Sequence, residues 1–114
     1  MILTVKVVET PEAAIVHLAG KLALGRDSEQ VENAVSAQLS AGKRNLILDF
    51  SGVDHIDSTG VGIVAFCFGR VRAGGGSLRV SGARGRVREI FSVTQLDALI
   101  PFDANDEEAR ARFA

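Results

Sequence analysis

One cysteine, two histidines and two prolines are all that this 114-residue chain carries of those types. A lone Cys67 excludes an internal disulfide and any cysteine-based metal cluster. An excess of charge is missing too. Thirteen Lys and Arg against 14 Asp and Glu leave a net charge of −1, without the basic surplus expected of a nucleic-acid binder. No apolar run approaches the ~18 residues needed to span a membrane, because Arg70 cuts the longest one short. The opening Met1-Ile2-Leu3-Thr4-Val5-Lys6 lacks the basic and apolar regions of a secretion signal. The expectation is one soluble, cytoplasmic domain over residues 1–114, with no nucleic-acid partner and no membrane insertion.

Catalytic patterns are missing as well. A Gly-x-Ser-x-Gly elbow around Ser58 would need glycine at the place of Ile56. Gly74-Gly75-Gly76 is not followed by the Lys-Ser/Thr of a phosphate-binding loop. His17 falls inside a predicted strand and reads as structural. His55 stands three residues from Ser58, but a triad also needs an orienting acid and an oxyanion hole, and nearness in sequence supplies neither. Cys67 sits among apolar neighbours, where a thiol is unreactive core. Arg79, Arg84, Arg86 and Arg88 are offset by Glu89 and an acidic C-terminal segment, and read as a solvated face. Asp103, Asp106, Glu107 and Glu108 could hold a metal only by converging, and the charge preference of a helix N-terminus accounts for them without one. No catalytic residue, metal or cofactor is assigned, and an enzyme is not expected.

What the chain does have is concentrated between Asn45 and Ala73. Leu46-Ile47-Leu48-Asp49-Phe50 is short and almost continuously apolar, the pattern of a strand buried on both faces. Ser51-Gly52 is expected to end it. Val61 to Phe68 is a second apolar run, long enough to predict a buried helix that is apolar all round. Asp57 or Ser58 would cap it, Arg70 and Arg72 suit its C-terminal end, and Gly74 would stop it. Gly60, Gly62 and Gly69 each cost about 1 kcal/mol of helix propensity against Ala, which points to close approach of this helix to a sheet.

Around that stretch the order of elements is regular. Ile2 to Val8 and Ala14 to Ala19 alternate as strands and predict an antiparallel hairpin across the Thr10-Pro11-Glu12 turn. Gly20 to Gly25 reads as a loop holding the exposed-looking Leu22 and Leu24. Asp27 with Gln30 makes a capping box for a helix whose inner face is Val31, Ala34, Val35 and Leu39. Ser77 to Ser81 predicts a fourth strand, and Arg84 to Ser92 a helix burying Val87, Ile90 and Phe91. Leu99-Ile100-Pro101-Phe102 fits a short edge strand, and Asn105 with Glu108 frames a last helix with Ala109 and Phe113 inward. The predicted class is α/β: a mixed four- to five-stranded sheet, an N-terminal antiparallel hairpin followed by βα units, and about four helices.

Leu46-Ile47-Leu48-Asp49-Phe50-Ser51-Gly52-Val53 and Ile56-Asp57-Ser58-Thr59-Gly60-Val61-Gly62 together resemble the bacterial anti-sigma factor antagonists, small single-domain members of the STAS group. A fainter likeness continues through Gly75-Gly76, Leu78-Arg79-Val80 and Val87 to Phe91. The resemblance implies that Ser58 is phosphorylated by a partner, an anti-sigma factor that is also a serine kinase and carries its own ATP and magnesium. A separate serine phosphatase would reverse the modification. That likeness, together with the exposed-looking Leu22 and Leu24, which otherwise show apolar area without reason, points to a partner surface made by Lys21, Leu22, Ala23, Leu24, His55, Ile56, Asp57, Ser58 and Thr59. Ala23 stands where the family usually has an acidic residue in a Gly-x-Leu-Asp pattern, and Thr94-Gln95 stands where a glycine usually follows the third helix. Two other classes fit the same fold: an unswitched scaffold subunit of a signalling or lipid-transport complex, and a small-ligand or nucleotide-binding domain.

Overall fold

The computed structural model describes residues 2–25 and 28–114. Five strands form one sheet in the order β1 (Thr4–Glu9), β2 (Ala14–Leu22), β3 (Asn45–Ile56), β4 (Ser77–Ser81) and β5 (Phe102–Asp103). The β1–β2 pair is antiparallel and the other neighbours are parallel, so the sheet is mixed. Four helices are interspersed: α1 (Glu29–Ser40), α2 (Ser58–Ala73), α3 (Gly85–Val93) and α4 (Asp106–Phe113).

Alternation along the strands divides the burial between two faces. Val16, Leu46, Leu48, Leu78 and Val80 pack with Val31 and Val35 of α1, Val64, Cys67 and Val71 of α2, and Val87 and Phe91 of α3. Phe91 stands edge-on to Phe50 at a ring separation of 5.4 Å, a geometry that suits the aromatic quadrupoles. On the opposite face, Ala13, Ile15 and Ile47 pack with Ala109 and Phe113 of α4. Three helices therefore cover one face, and α4 covers part of the other.

Several expected boundaries move. Ser51-Gly52 does not end β3, which continues to Ile56 alongside a β2 that itself runs on to Leu22. The pairing register shifts between His17 and Ala19 and again between Gly20 and Lys21. Gly52 permits this, since a Cβ there would lie 2.9 Å from both Ala19 Cβ and Leu18 O. The break expected at Ser51-Gly52 is thus an irregularity that lengthens both strands toward the N-terminus of α2. Leu22 consequently belongs to the sheet and is fully buried, not exposed in a loop. The last strand falls at Phe102–Asp103, and Pro101 precedes it where no donor is required of it. Asp27 of the expected capping box lies outside the described residues; α1 starts behind Ser28, whose hydroxyl donates to the Ala23 carbonyl.

The central helix is not buried all round. Val64, Cys67, Phe68 and Val71 face the core, whereas Ser58, Gly62, Phe66 and Gly69 are exposed. Of the three glycines thought to mark close approach, only Gly60 does so. A Cβ there would fall 2.7 Å from Ile56 Cγ1 and nearer still to the Leu22 carbonyl, while Gly62 and Gly69 face open space.

Candidate functional site

The β2–α1 and β3–α2 connections meet at one carboxylate. Asp57 leaves β3 with extended backbone angles of φ −118° and ψ −173° and caps α2. Its Oδ1 accepts the Gly60 N–H at 2.9 Å, and its Oδ2 accepts the Leu24 N–H at 3.0 Å. Its own N–H donates to the Leu22 carbonyl at 3.3 Å. Asp57 therefore satisfies a donor of the first helical turn and ties the end of β2 to the start of α2. The Leu24 and Gly60 N–H groups, in that order, hold its carboxyl below the usual carboxylate range.

Because Asp57 is the cap, Ser58 is released from that role. It occupies the first position of α2 and is exposed. Leu24 is 82% exposed, held by Asp57 as an apolar side chain standing in water next to the helix start. Lys21 and His55 are exposed register partners on β2 and β3, and Thr59 is half-buried. The sequence expectation for this surface needs three corrections. Leu22, Ile56 and Ala23 are buried, at 0%, 2% and 7% exposure: both strands extend further than expected and carry Leu22 and Ile56 into the core, and Ala23 follows β2 directly, its carbonyl taken by the Ser28 hydroxyl. The exposed members are Lys21, Leu24, His55 and Ser58, with Asp57 and Thr59 at the margin.

A model of the STAS domain matches residues 4–109. BtrV of Bordetella bronchiseptica, assigned as an anti-sigma factor antagonist, is 30% identical over 87 residues, 76% of this chain and 75% of that one. The chain is a STAS domain of the anti-sigma factor antagonist family. An anti-sigma factor antagonist from Mycobacterium paratuberculosis has the same fold, with a TM-score of 0.83 at 23% identity over 97% of this chain and 93% of that one. The Bacillus cell-fate determinant SpoIIAA in its phosphorylated form gives a TM-score of 0.75 at 25% identity, over 97% of this chain and all 100% of that one.

In this STAS domain, the four acidic residues near the C-terminus do not converge. Asp103 accepts a two-pronged pair from Arg79 at 2.7 and 3.1 Å, and Arg88 pairs with Asp97 at 3.0 Å while stacking on Phe102. These partners neutralise half of the expected basic face and leave Arg84 and Arg86 exposed. Asp106 instead joins a cluster on the α4 face of the sheet. His17 Nδ1 lies 2.7 Å from Asp49 Oδ2 and 3.8 Å from Asp106 Oδ2. Sequence reasoning passed over this cluster, although a signal existed. His17 and Asp49 are register partners in parallel strands, and both interrupt apolar alternation on the same face. Cys67 is buried, and desolvation pushes its thiol up to about 12.

Proposed function

We propose that this domain is a phosphorylation-switched antagonist. Unmodified, it binds an anti-sigma factor that is also a serine kinase, and so releases a sigma factor; phosphorylation of Ser58 ends the binding. The observation that carries this reading is the division of labour between Asp57 and Ser58. Asp57 holds the helix and the Leu24 loop, so the exposed Ser58 hydroxyl can be modified without unfastening either. The likeness to SpoIIAA in phosphorylated form supports it.

The electrostatics fit such a switch. A phosphate adds roughly −1.5 to −2 of charge at neutral pH. At the first position of α2 it meets the positive end of a 16-residue helix, which favours it by up to about 1 kcal/mol. The adjacent Asp57, ionised throughout the neutral range, opposes it. The fold therefore tolerates the group, and the change falls on a partner seated over Ser58 and Leu24. Closing such an interface over an unpaired charge costs about 2–5 kcal/mol, or roughly 30- to several-thousand-fold in affinity. ATP and magnesium belong to the kinase, and a serine phosphatase resets the domain in the cytoplasm. Because the Ala23 side chain is buried and carries no acid, recognition falls on its neighbours: the Lys21 cation, His55 and an apolar pocket for Leu24.

The test combines the cognate kinase and labelled ATP with wild type, Ser58→Ala, Ser58→Asp and Thr59→Ala. Wild type and Thr59→Ala should take up label. Ser58→Ala should take up none and bind constitutively, and Ser58→Asp should fold normally and bind poorly. Label retained by Ser58→Ala but lost from Thr59→Ala would move the site by one residue. No label in wild type, with Ser58→Asp still binding, would defeat the switch.

A further inference from the structure

On the face away from the three-helix layer, three elements aim ligand atoms at one point. His17 comes from β2, Asp49 from β3 and Asp106 from the first position of α4. His17 Nδ1 and one oxygen from each carboxylate all lie within 4.8 Å of one another. Asp49 is only 6% exposed, and a buried carboxylate beside a second one is accommodated by a shared proton, by the neighbouring imidazolium or by a metal ion.

The remaining oxygens are already committed. Asp49 Oδ1 accepts the Ser51 N–H at 2.9 Å, and Asp106 Oδ1 accepts the Ser81 hydroxyl at 2.5 Å. These bonds turn the Oδ2 atom of each carboxylate toward the imidazole, the arrangement by which outer hydrogen bonds orient metal ligands. Donor atoms around tetrahedral zinc sit roughly 3.3 Å apart, given metal–ligand distances near 2.0–2.2 Å. The separations of 2.7 and 3.8 Å from His17 Nδ1 bracket that value, so side-chain adjustments of about half an ångström would seat an ion. A cavity of about 520 Å³ is lined by Asp49 and Asp106 together with Ser51, Gly82, Arg84 and Asn105. It offers access from solvent and room for water at an open coordination position. Its one cation, Arg84, is exposed.

We propose that His17, Asp49 and Asp106 form a binding site for a divalent transition-metal ion, zinc for preference, that fastens α4 to the sheet. One imidazole nitrogen and two carboxylate oxygens are borderline-to-hard donors that suit zinc, cobalt or manganese, and the lack of a thiolate removes any preference for softer ions. The site is separate from the Ser58 surface and stands or falls independently of the switch.

Chelator-treated protein is titrated with zinc by calorimetry and with cobalt by visible absorption. The expected result is saturable uptake of one ion per chain. Nitrogen-15 NMR of wild type should show His17 Nδ1 as the zinc-bound nitrogen and Nε2 as the protonated one on zinc addition. His17→Ala and Asp106→Asn should each abolish uptake, and Ser81→Ala should weaken it about 10-fold or more by freeing an oriented ligand. His55→Ala, which removes the other histidine, should leave uptake unchanged. No saturable uptake by wild type up to about millimolar zinc would overturn the site, as would uptake that follows His55. Zinc on Nε2, with the proton on Nδ1, would overturn it even if a ligand variant failed to fold.

Discussion

If Asp57 alone holds the start of α2, removing it and removing its neighbour should have very different consequences. Asp57→Ala frees two donors, the N–H groups of Gly60 and Leu24. Losing an N-terminal cap costs about 1 kcal/mol. A backbone hydrogen bond to a charged acceptor is worth ~1.5 kcal/mol at the low end, and less where water can replace it. Together these give a loss of about 2 kcal/mol, or a drop of roughly 1 M in the urea midpoint for a domain this small. Ser58→Ala, which removes an exposed hydroxyl that is not the cap, should stay within about 0.5 kcal/mol of wild type. The pH dependence gives a second handle. The folded-state pKa of Asp57 is lowered, so its charge stabilises the fold fully above the unfolded carboxylate value near 4. That contribution is lost as pH falls through the lower folded value. Asp57→Asn keeps the shape of the cap without the charge. Its stability gap from wild type should hold steady from about pH 7 to 5 and close below about pH 4. Urea unfolding followed by circular dichroism reads both effects. Equal losses for Ser58→Ala and Asp57→Ala, or a gap that persists unchanged in acid, would refute the assignment of the cap.

Two leucines two residues apart should separate folding from binding. Leu22→Ala should cost about 2–5 kcal/mol, because it empties a fully buried site. Leu24→Asp should barely change the melting temperature yet weaken partner capture, and a large melting loss at Leu24 would contradict its exposure. Two glycines of α2 should likewise differ in sign: Gly60→Ala should destabilise by ~1–3 kcal/mol, since its Cβ would meet the Leu22 carbonyl and Ile56. Gly62→Ala, which faces open space, should stabilise by about 0.5–1 kcal/mol, and thermal denaturation of both variants checks the contrast. Cys67 should react with a thiol reagent only on unfolding, given its burial and a thiol pushed up to about 12; rapid labelling of the native protein would place it outside the core.

The elements that local pattern could reveal were those whose periodicity survives without a partner. The 46–50 run, the alternation in β4 and the Asn105 cap of α4 each carry their own signal, and the Asn105 side chain does accept the Glu108 N–H at 2.9 Å. What escaped was set by pairing across the sheet. Ser51-Gly52 has the composition of a break, and only the irregular pairing with β2 turns it into a continuation. That one difference moved Leu22 and Ile56 from a partner surface into the core, since a strand that persists keeps alternating. Gln95 makes the same point from the other side. It takes the left-handed conformation, φ 62°, within the Thr94-Gln95 pair that stands where the resemblance leads one to expect a glycine. A turn between α3 and the 3-10 turn Leu96–Ala98 thus uses a conformation that glycine adopts more readily than glutamine, and nothing in the local sequence announces it. Helix amphipathicity was hidden differently. Phe66 and Cys67 are equally apolar to a sequence pattern, but one is half exposed and the other buried, because neighbouring helix positions lie about 100° apart and α2 covers the sheet with one side only. The uncovered side begins at Ser58 and runs through Gly62 to Phe66. Phe66, two turns along from Ser58 on that side, is thereby left as an exposed apolar ring that a count of apolar residues assigns to the core.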